Sequence, residues 1–289
     1  MNIKEIVFLI NPNSGKRKPN KILKKLISIN PEFNIVVTKS TGEFVTFMNE
    51  NIDRFKCFVV AGGDGTVNKC VDFLFGRDDK ILAVIPIGSG NGFARETGFN
   101  TGLEKLIKNL EVGDYFKVDV MELNENKFIN VAGFGFDAWV AHSFANRKSR
   151  GFINYFFATL TSFKEFKLQK TTLNISDKIY EDFYTMVVFA NTRQFGNNAF
   201  IAPDANPESG LIEVVMVKKI PFYIYPSLIV NMFLGKKNNS EFVDYYRADS
   251  DIYISTDYNK FHFDGEPIEL NENIIIKIYK KAVNVLKMN

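Results

Sequence analysis

Cysteine, histidine and tryptophan are scarce in this sequence. Among 289 residues there are two cysteines, two histidines and one tryptophan. Cys57 and Cys70 form no CxxC pair and join no Cys/His cluster, which argues against a zinc site. Cys57 stands in the apolar run Cys57-Phe58-Val59-Val60 and reads as a buried hydrophobe, consistent with a reducing compartment. His142 and His262 are isolated, without ligand spacing, and read as structural. Charge of one sign is also lacking. The net charge is +3 with no long basic run, so nothing points to nucleic acid as a partner. Long apolar runs are missing too. The longest, 221–234, is broken by Asn231 and falls short of the ~20 residues that span a bilayer. It reads as core packing. The first apolar run, Ile6 to Ile10, leads into Asn-Pro and is too short for a secretory signal. The expectation is a cytoplasmic protein that meets a membrane only from its surface.

What is present is a globular composition. Hydrophobic residues make up 46% and charged residues 24%, and the length suits two domains. The 29 phenylalanines must supply much of the core. Up to residue 119, strand and helix patterns alternate. Strands are expected at 6–10, 33–38, 57–61 and 81–86, with helices at 20–29, at 42–51 and after Gly65. The alternation predicts a parallel sheet with crossover helices, and the strands are apolar throughout, as when both faces are covered. From 120 to 289 the strands come close together: 127–131, 171–175, 185–190, 211–217, 251–255, 261–263 and 274–278. This predicts a mainly antiparallel β domain with helices inserted around 139–163 and 222–234. The final segment is left free to return to the first domain.

Four segments carry chemistry. In the first, Val59-Val60-Ala61 runs into Gly62-Gly63-Asp64-Gly65-Thr66 and then a helix. Glycines let backbone N–H groups approach phosphate oxygens, and a helix N-terminus favours negative charge. Asp64 must act through a cation or by orienting donors. The plainer alternative is a tight turn capped by Asp64 or Thr66. The second segment is Gly88-Ser89-Gly90-Asn91-Gly92, again after an apolar strand; its GxGxG spacing is not a Rossmann fingerprint. Strand ends in an open parallel sheet converge on one ligand-binding edge, so the two turns support each other. The third, Asn11-Pro12-Asn13-Ser14-Gly15-Lys16, lacks Walker A spacing but can offer the Asn11 and Ser14 side chains to a nucleotide. The fourth is Phe263-Asp264-Gly265-Glu266. Asp-Gly between apolar runs signals a hairpin. Two carboxylates two positions apart on extended backbone would share a face. A hairpin tip can also carry a base.

Together these segments resemble the diacylglycerol kinase catalytic family, which includes bacterial soluble lipid kinases and sphingosine kinases. The landmarks are Asn11-Pro12-Asn13-Ser14-Gly15, Gly62-Gly63-Asp64-Gly65-Thr66, Gly88-Ser89-Gly90-Asn91, Phe128-Ile129-Asn130-Val131-Ala132-Gly133-Phe134-Gly135-Phe136-Asp137, Ala202-Pro203-Asp204-Ala205 and Asp264-Gly265-Glu266. The resemblance implies an α/β nucleotide-binding domain of NAD kinase/diacylglycerol kinase type and a β-sandwich second domain, with the active site between them. It implies ATP contacts at Asn11, Ser14, Gly15, Gly62, Gly63, Asp64, Gly65, Thr66, Ser89, Gly90 and Asn91, with Thr38 on the adenosine side. Asp264 or Glu266 would be the general base, and Asp64 and Asp119 would belong to an Mg²⁺-linked carboxylate network. Two positions depart from the pattern. Gly92 stands where many bacterial diacylglycerol kinases have Asp, which removes one carboxylate from the implied network, and the Gly88-Ser89-Gly90-Asn91 form is closer to the sphingosine type. Ser209 stands where bacterial members place the acidic residue of a structural Mg²⁺ segment.

The implied activity is phosphorylation of a lipid hydroxyl, on diacylglycerol or a sphingoid-type lipid, presented by a membrane surface. An NAD kinase, which shares the glycine-rich turn, and a non-catalytic nucleotide- or lipid-binding member are the rival readings. Arg147, Lys148 and Arg150 before the aromatic run 152–157 could dock on an anionic surface; a charged loop before a buried helix is the alternative. A homodimer is left open.

Overall fold

The computed structural model describes residues 1–15, 18–145 and 166–289. The basic residues 147, 148 and 150, the aromatic run 152–157 and most of the helix expected over 139–163 lie outside the described residues. The chain groups into two compact units, Met1–Val118 with Lys281–Asn289, and Asp119–Lys280.

In the first unit, β1 (Ile6–Ile10) is buried at every position, as its uninterrupted apolar sequence requires. It pairs in parallel with β2 (Asn34–Val37) on one side and β3 (Cys57–Gly62) on the other. Next, β3 pairs in parallel with β4 (Ile81–Pro86), and Gly62 lies opposite Pro86. The crossovers are helical. α1 (Lys18–Ile29) carries Pro19 in its first turn, where the missing N–H costs nothing. α2 (Thr41–Asn51) starts at Ser40, whose hydroxyl accepts from Glu43 N at 3.1 Å. α3 (Asp64–Leu74) opens two residues earlier than expected and takes Gly65 into its first turn. α4 (Gly92–Glu96) follows the second glycine turn, and α5 (Leu103–Val112) ends on Gly113 at φ +80°, a left-handed cap that suits glycine.

The second unit is antiparallel. β5 (Tyr115–Leu123) enters it and pairs with β6 (Asn126–Phe128). The single strand expected at 127–131 is two: β7 (Val131–Gly135) follows β6 after a break at Ile129-Asn130. α6 (Phe136–Ala145) follows directly. β8 (Gln169–Ile175) pairs with the first half of β9 (Lys178–Ala190). The second half of β9 pairs with β7 on one edge and β10 (Ile212–Lys218) on the other. This long strand therefore joins two groups of strands within one continuous hydrogen-bonded sheet. One continues from β10 to β11 (Val243–Ala248) and from β7 to β13 (Lys260–Phe263) and β14 (Glu266–Glu269). The other continues from β8 to β12 (Ile252–Thr256) and the start of β15 (Ile274–Leu286). Phe134, Phe189, Phe261, Val187 and Leu173 fill one core, as inward-facing sandwich positions should.

Helix α7 (Tyr225–Leu234) forms where expected, but the core reading of 221–234 holds for one face only. Met232 is 8% exposed, whereas Val230, Phe233 and Leu234 are 54%, 46% and 60% exposed. No helix among the described residues is long and apolar enough to cross a membrane.

Candidate active site

In the first unit, adjacent parallel strands end at Gly62 and Pro86, so both glycine turns leave the sheet at the same edge. Gly62 O accepts from Ile87 N at 3.1 Å and Gly88 N at 3.3 Å. The turns touch backbone to backbone: a Cβ on Gly63 would lie 3.2 Å from Gly88 Cα. A Cβ on Gly62 would meet the Thr66 side chain at 2.6 Å. Glycine is required here by contact with protein as well as by access to a ligand. Gly15, at φ +67°, closes against the Ile87 carbonyl, which brings the Asn11–Ser14 turn onto the second glycine turn.

Side chains stitch these turns together. Asn11 Nδ2 donates to Thr66 Oγ1 at 2.9 Å. Asp64 Oδ1 accepts from Phe93 N at 3.3 Å and so supports the start of α4. Asn91 takes a left-handed conformation, φ 51°, and its Nδ2 donates to Gly88 O at 3.0 Å. Its Oδ1 is buried without a hydrogen-bond partner, an acceptor held ready for a donor. The N-cap of α3 is Gly63, which brings no side-chain acceptor to the helix N-terminus. Of the two readings of this turn, the side-chain cap by Asp64 or Thr66 is the one the structure does not show.

A pocket of about 200 Å³ opens beside these turns. It brings together three expected residues, Asn11, Thr38 and Thr66. Thr38 N donates to Ile10 O at 3.1 Å, which fixes the residue after β2 at the C-terminal end of β1. Asn13, Phe44 and Lys69 also line the pocket. Lys69 lies one helical turn after Thr66, and its Nζ donates to Thr41 Oγ1 at 3.2 Å. Lys69 was legible in principle as the first cation after the glycine turn; Phe44 carried no signal. Ser14, Gly15, Gly62, Gly63, Asp64, Gly65, Ser89, Gly90 and Asn91 lie outside the lining of this pocket, on the turns around it. Ser89 is exposed.

In the second unit, Asp264 and Gly265 form a two-residue hairpin with φ of +47° and +84° between β13 and β14. Both central residues at positive φ are what a type I′ turn demands. Asp264 Oδ1 accepts from Asn130 N at 2.9 Å and Val131 N at 3.1 Å, and Oδ2 accepts from Ile129 N at 3.1 Å. Three N–H donors stabilise the ionised carboxylate and fix its direction. That cradle is held in turn by Asn191, whose N–H donates to Asn130 O at 2.8 Å and whose Nδ2 donates to Ile129 O at 2.9 Å. Glu266 is exposed and its carboxylate makes no hydrogen bond among the described residues. The two acids therefore do not form a matched pair on one extended face. The turn rotates Asp264 onto the 129–131 backbone and leaves Glu266 to solvent.

Beneath the hairpin, His262 Nε2 lies 2.8 Å from Asp137 Oδ2, and both side chains are fully buried. Burial pushes the Asp137 carboxyl up, and His262 opposes the shift. His142 Nε2 donates to the carbonyls of Phe261 and Ile268, 3.1 Å from each, and pins α6 to β13 and β14. Asp119 is fully buried, and its Oδ2 accepts from Gly210 N at 2.6 Å. Ser209 Oγ donates to Asn206 O at 2.7 Å, so the 206–210 turn is closed by protein groups. Among the described residues no group of three or more His, Cys, Asp or Glu gathers that could hold a metal.

Comparison with known proteins gives the family. Residues 5–123 match the diacylglycerol kinase catalytic domain, and residues 130–287 match the YegS C-terminal NAD kinase beta sandwich-like domain. YtlR of Bacillus subtilis (strain 168), which carries a lipid kinase assignment, is 28% identical over 288 positions, spanning 90% of this chain and 92% of that protein. The diacylglycerol kinase of the same organism is 23% identical over 275 positions, spanning 91% and 90%. A crystal structure from Bacillus anthracis assigned to the diacylglycerol kinases shares the fold, with a TM-score of 0.82 at 22% identity over 99% of this chain and 98% of that one. This chain belongs to the diacylglycerol kinase family of lipid kinases, with ATP as the co-substrate of its kinase domain and a YegS-type β-sandwich as its second domain.

Proposed function

We propose that this chain transfers the γ-phosphoryl group of ATP to the hydroxyl of a diacylglycerol or a sphingoid-type lipid. The observation that carries the reading is the Asp264-Gly265 hairpin, which locks one carboxylate with three N–H donors and leaves the next, Glu266, open to solvent. Asn11, Ser14, Gly15, the 62–66 turn and the 88–91 turn hold the phosphates. Thr38 and Phe44 receive the adenosine side in the 200 Å³ pocket, and Lys69 supplies positive charge there. Glu266 accepts the acceptor's hydroxyl proton as its oxygen bonds to the γ-phosphorus and the bond to the ADP oxygen breaks. Asp264 positions the hairpin. An apolar cleft in the second unit, lined by Phe136, Met186, Val215, Val217, Leu228 and Met232, suits an acyl chain.

Kinases of this kind use Mg²⁺, which binds through one or two carboxylates together with substrate phosphates. A carboxylate beside a phosphate-binding turn fits that donor set, and Asp64, half-buried at the head of α3, is the residue to hold it. Asp119 is the lesser candidate because it is fully buried, with its Oδ2 held by Gly210 N. The ion would neutralise phosphate charge.

The test is γ-labelled ATP offered with a lipid extract and, in parallel, with NAD. The expected result is label in lipid. Glu266→Gln should lower turnover by roughly 10²–10⁴-fold, the usual contribution of a positioned base, with ATP affinity unchanged. Label in NAD, or near-wild-type turnover in Glu266→Gln, overturns the reading.

A further inference from the structure

Between Lys219 and Lys236 the second unit carries a stretch without a single charged residue, Pro221 to Gly235. It folds as a 3₁₀ turn, Phe222–Ile224, and α7. One side of the helix turns inward: Leu228, Ile229 and Met232 line the apolar cleft. The other side is open. Tyr223 is 75% exposed, Val230 54%, Phe233 46% and Leu234 60%. Within α7, positions 226, 227, 230, 233 and 234 share one exposed side, and Tyr223, in the 3₁₀ turn just before it, extends the stripe. Apart from Ser227 and Asn231 the helix is apolar, and a helix this apolar belongs in a buried setting, yet here one side of it faces water.

The ends of the stretch are basic, and their lysines differ. Lys218 pairs with Asp244 at 2.9 Å, and Lys237 pairs with Asp204 at 2.8 Å and lies over the Tyr245 ring. These two fasten the stretch to the unit. Lys219 and Lys236 are exposed and form no ion pair among the described residues. An aromatic and aliphatic stripe with an uncompensated cation at each end complements a surface of anionic headgroups over acyl chains. A second copy packed face to face through the same stripe would bring only the same cations to the contact.

We propose that α7 docks this protein on an anionic bilayer, with Tyr223, Val230, Phe233 and Leu234 entering the acyl boundary and Lys219 and Lys236 among the headgroups. The helix then has membrane on one face and the apolar cleft on the other. A lipid leaving the bilayer passes one helix to reach the cleft. This use of the cleft rests on the lipid kinase reading; the docking itself does not.

The experiment is flotation of the full chain with phosphatidylcholine vesicles and with phosphatidylglycerol–phosphatidylcholine vesicles, without ATP. Wild type should float with the anionic vesicles and stay behind with the neutral ones. The F233S/L234S and K219Q/K236Q variants should each lose about tenfold in partitioning, on the scale of a few buried apolar groups or two headgroup contacts. Tyr223→Ser, at the most exposed position of the stripe, repeats the test where the fold is least at risk. Ile179→Ser, also highly exposed but on β9, should bind like wild type. Tyr223→Ser and K219Q/K236Q should leave the thermal melt unchanged. F233S/L234S should still phosphorylate a dispersed short-chain lipid at the wild-type rate. Docking that persists in a chain that labels no lipid leaves this proposal standing and removes the kinase reading. Failure of wild type to float, or wild-type flotation by both F233S/L234S and Y223S, overturns it. So does a wild-type dimer in sedimentation that F233S/L234S dissociates.

Discussion

Tyr258 shows how much one side chain can hold. Its hydroxyl donates to Tyr184 O at 3.0 Å and accepts from Gln169 N at 3.0 Å, so it joins the starts of β8 and the middle of β9. Burial pushes its phenol up to about 12, and burial does the same to Tyr184. Both values lie above the ~10 of an unfolded tyrosine. A folded value raised in this way gives stability that is full below ~10 and is lost as pH rises towards about 12. Alkaline unfolding should therefore run together with tyrosine ionisation in that window, followed by absorbance and circular dichroism on the same sample. Tyr258→Phe leaves the Gln169 N–H unpaired and should cost roughly 1–3 kcal/mol in urea denaturation. An unchanged midpoint would count against this role. None of this was legible in the sequence, where Tyr258 is one of 11 tyrosines. Asp264 was legible as a turn residue, because Asp-Gly is a local signal. Its cradle was not, because the three N–H donors come from more than 130 positions earlier.

At the scale of elements, the sequence reads best where a strand runs straight into glycine. β1, β3 and β4 lie where apolar runs put them, and the two glycine turns follow. β11 and β14 were not foreseen. β11 contains Asp244, Tyr245, Tyr246 and Arg247, and its burial does not alternate cleanly. β14 is four residues long and includes Pro267, which an edge strand tolerates. The close contact between the glycine turns was also beyond the sequence, and it yields a sharp contrast. A Cβ on Gly88 would crowd Gly63 Cα and come within 2.8 Å of Asn91 Oδ1. Gly88→Ala must push the turns apart, and ATP affinity should fall about tenfold or more, equivalent to ~1.4 kcal/mol. A Cβ on Gly42, inside α2, meets nothing nearer than 3.8 Å. Gly42→Ala should stabilise the protein by about 0.5–1 kcal/mol and leave nucleotide binding alone. Calorimetric titration with an ATP analogue and a melt of each variant check both. Equal affinities would show that the turns can move apart without harm.

For the whole molecule, the informative feature is that the nucleotide unit is not continuous in sequence. Its last strand is the end of β15, which returns from the second unit and lies parallel to β4, with Asn284 opposite Ile81 and Val285 opposite Leu82. Asn284 Nδ2 donates to Asp78 O at 2.8 Å and Lys80 O at 2.9 Å. Gly76 N donates to Ala282 O at 2.9 Å and Lys287 N to Asp114 O at 2.8 Å. Val283, Val285 and Leu286 are buried. Apolar alternation could mark this segment as a strand, but no local pattern says which sheet it joins. The match to the kinase catalytic domain ends at residue 123 and so leaves this strand out. Burying each of the three aliphatic side chains is worth roughly 1.5–3 kcal/mol. A domain is stable by only about 5–15 kcal/mol in total. A fragment of residues 1–118 should therefore lack a cooperative melt and bind ATP analogues poorly. The same fragment with 281–289 attached through a glycine–serine linker should regain both. Calorimetric melts of the two fragments decide the matter: cooperative unfolding of 1–118 alone would show that the returning strand is dispensable, and recovery only with 281–289 would show that the nucleotide site depends on a strand supplied after the entire second unit has been made.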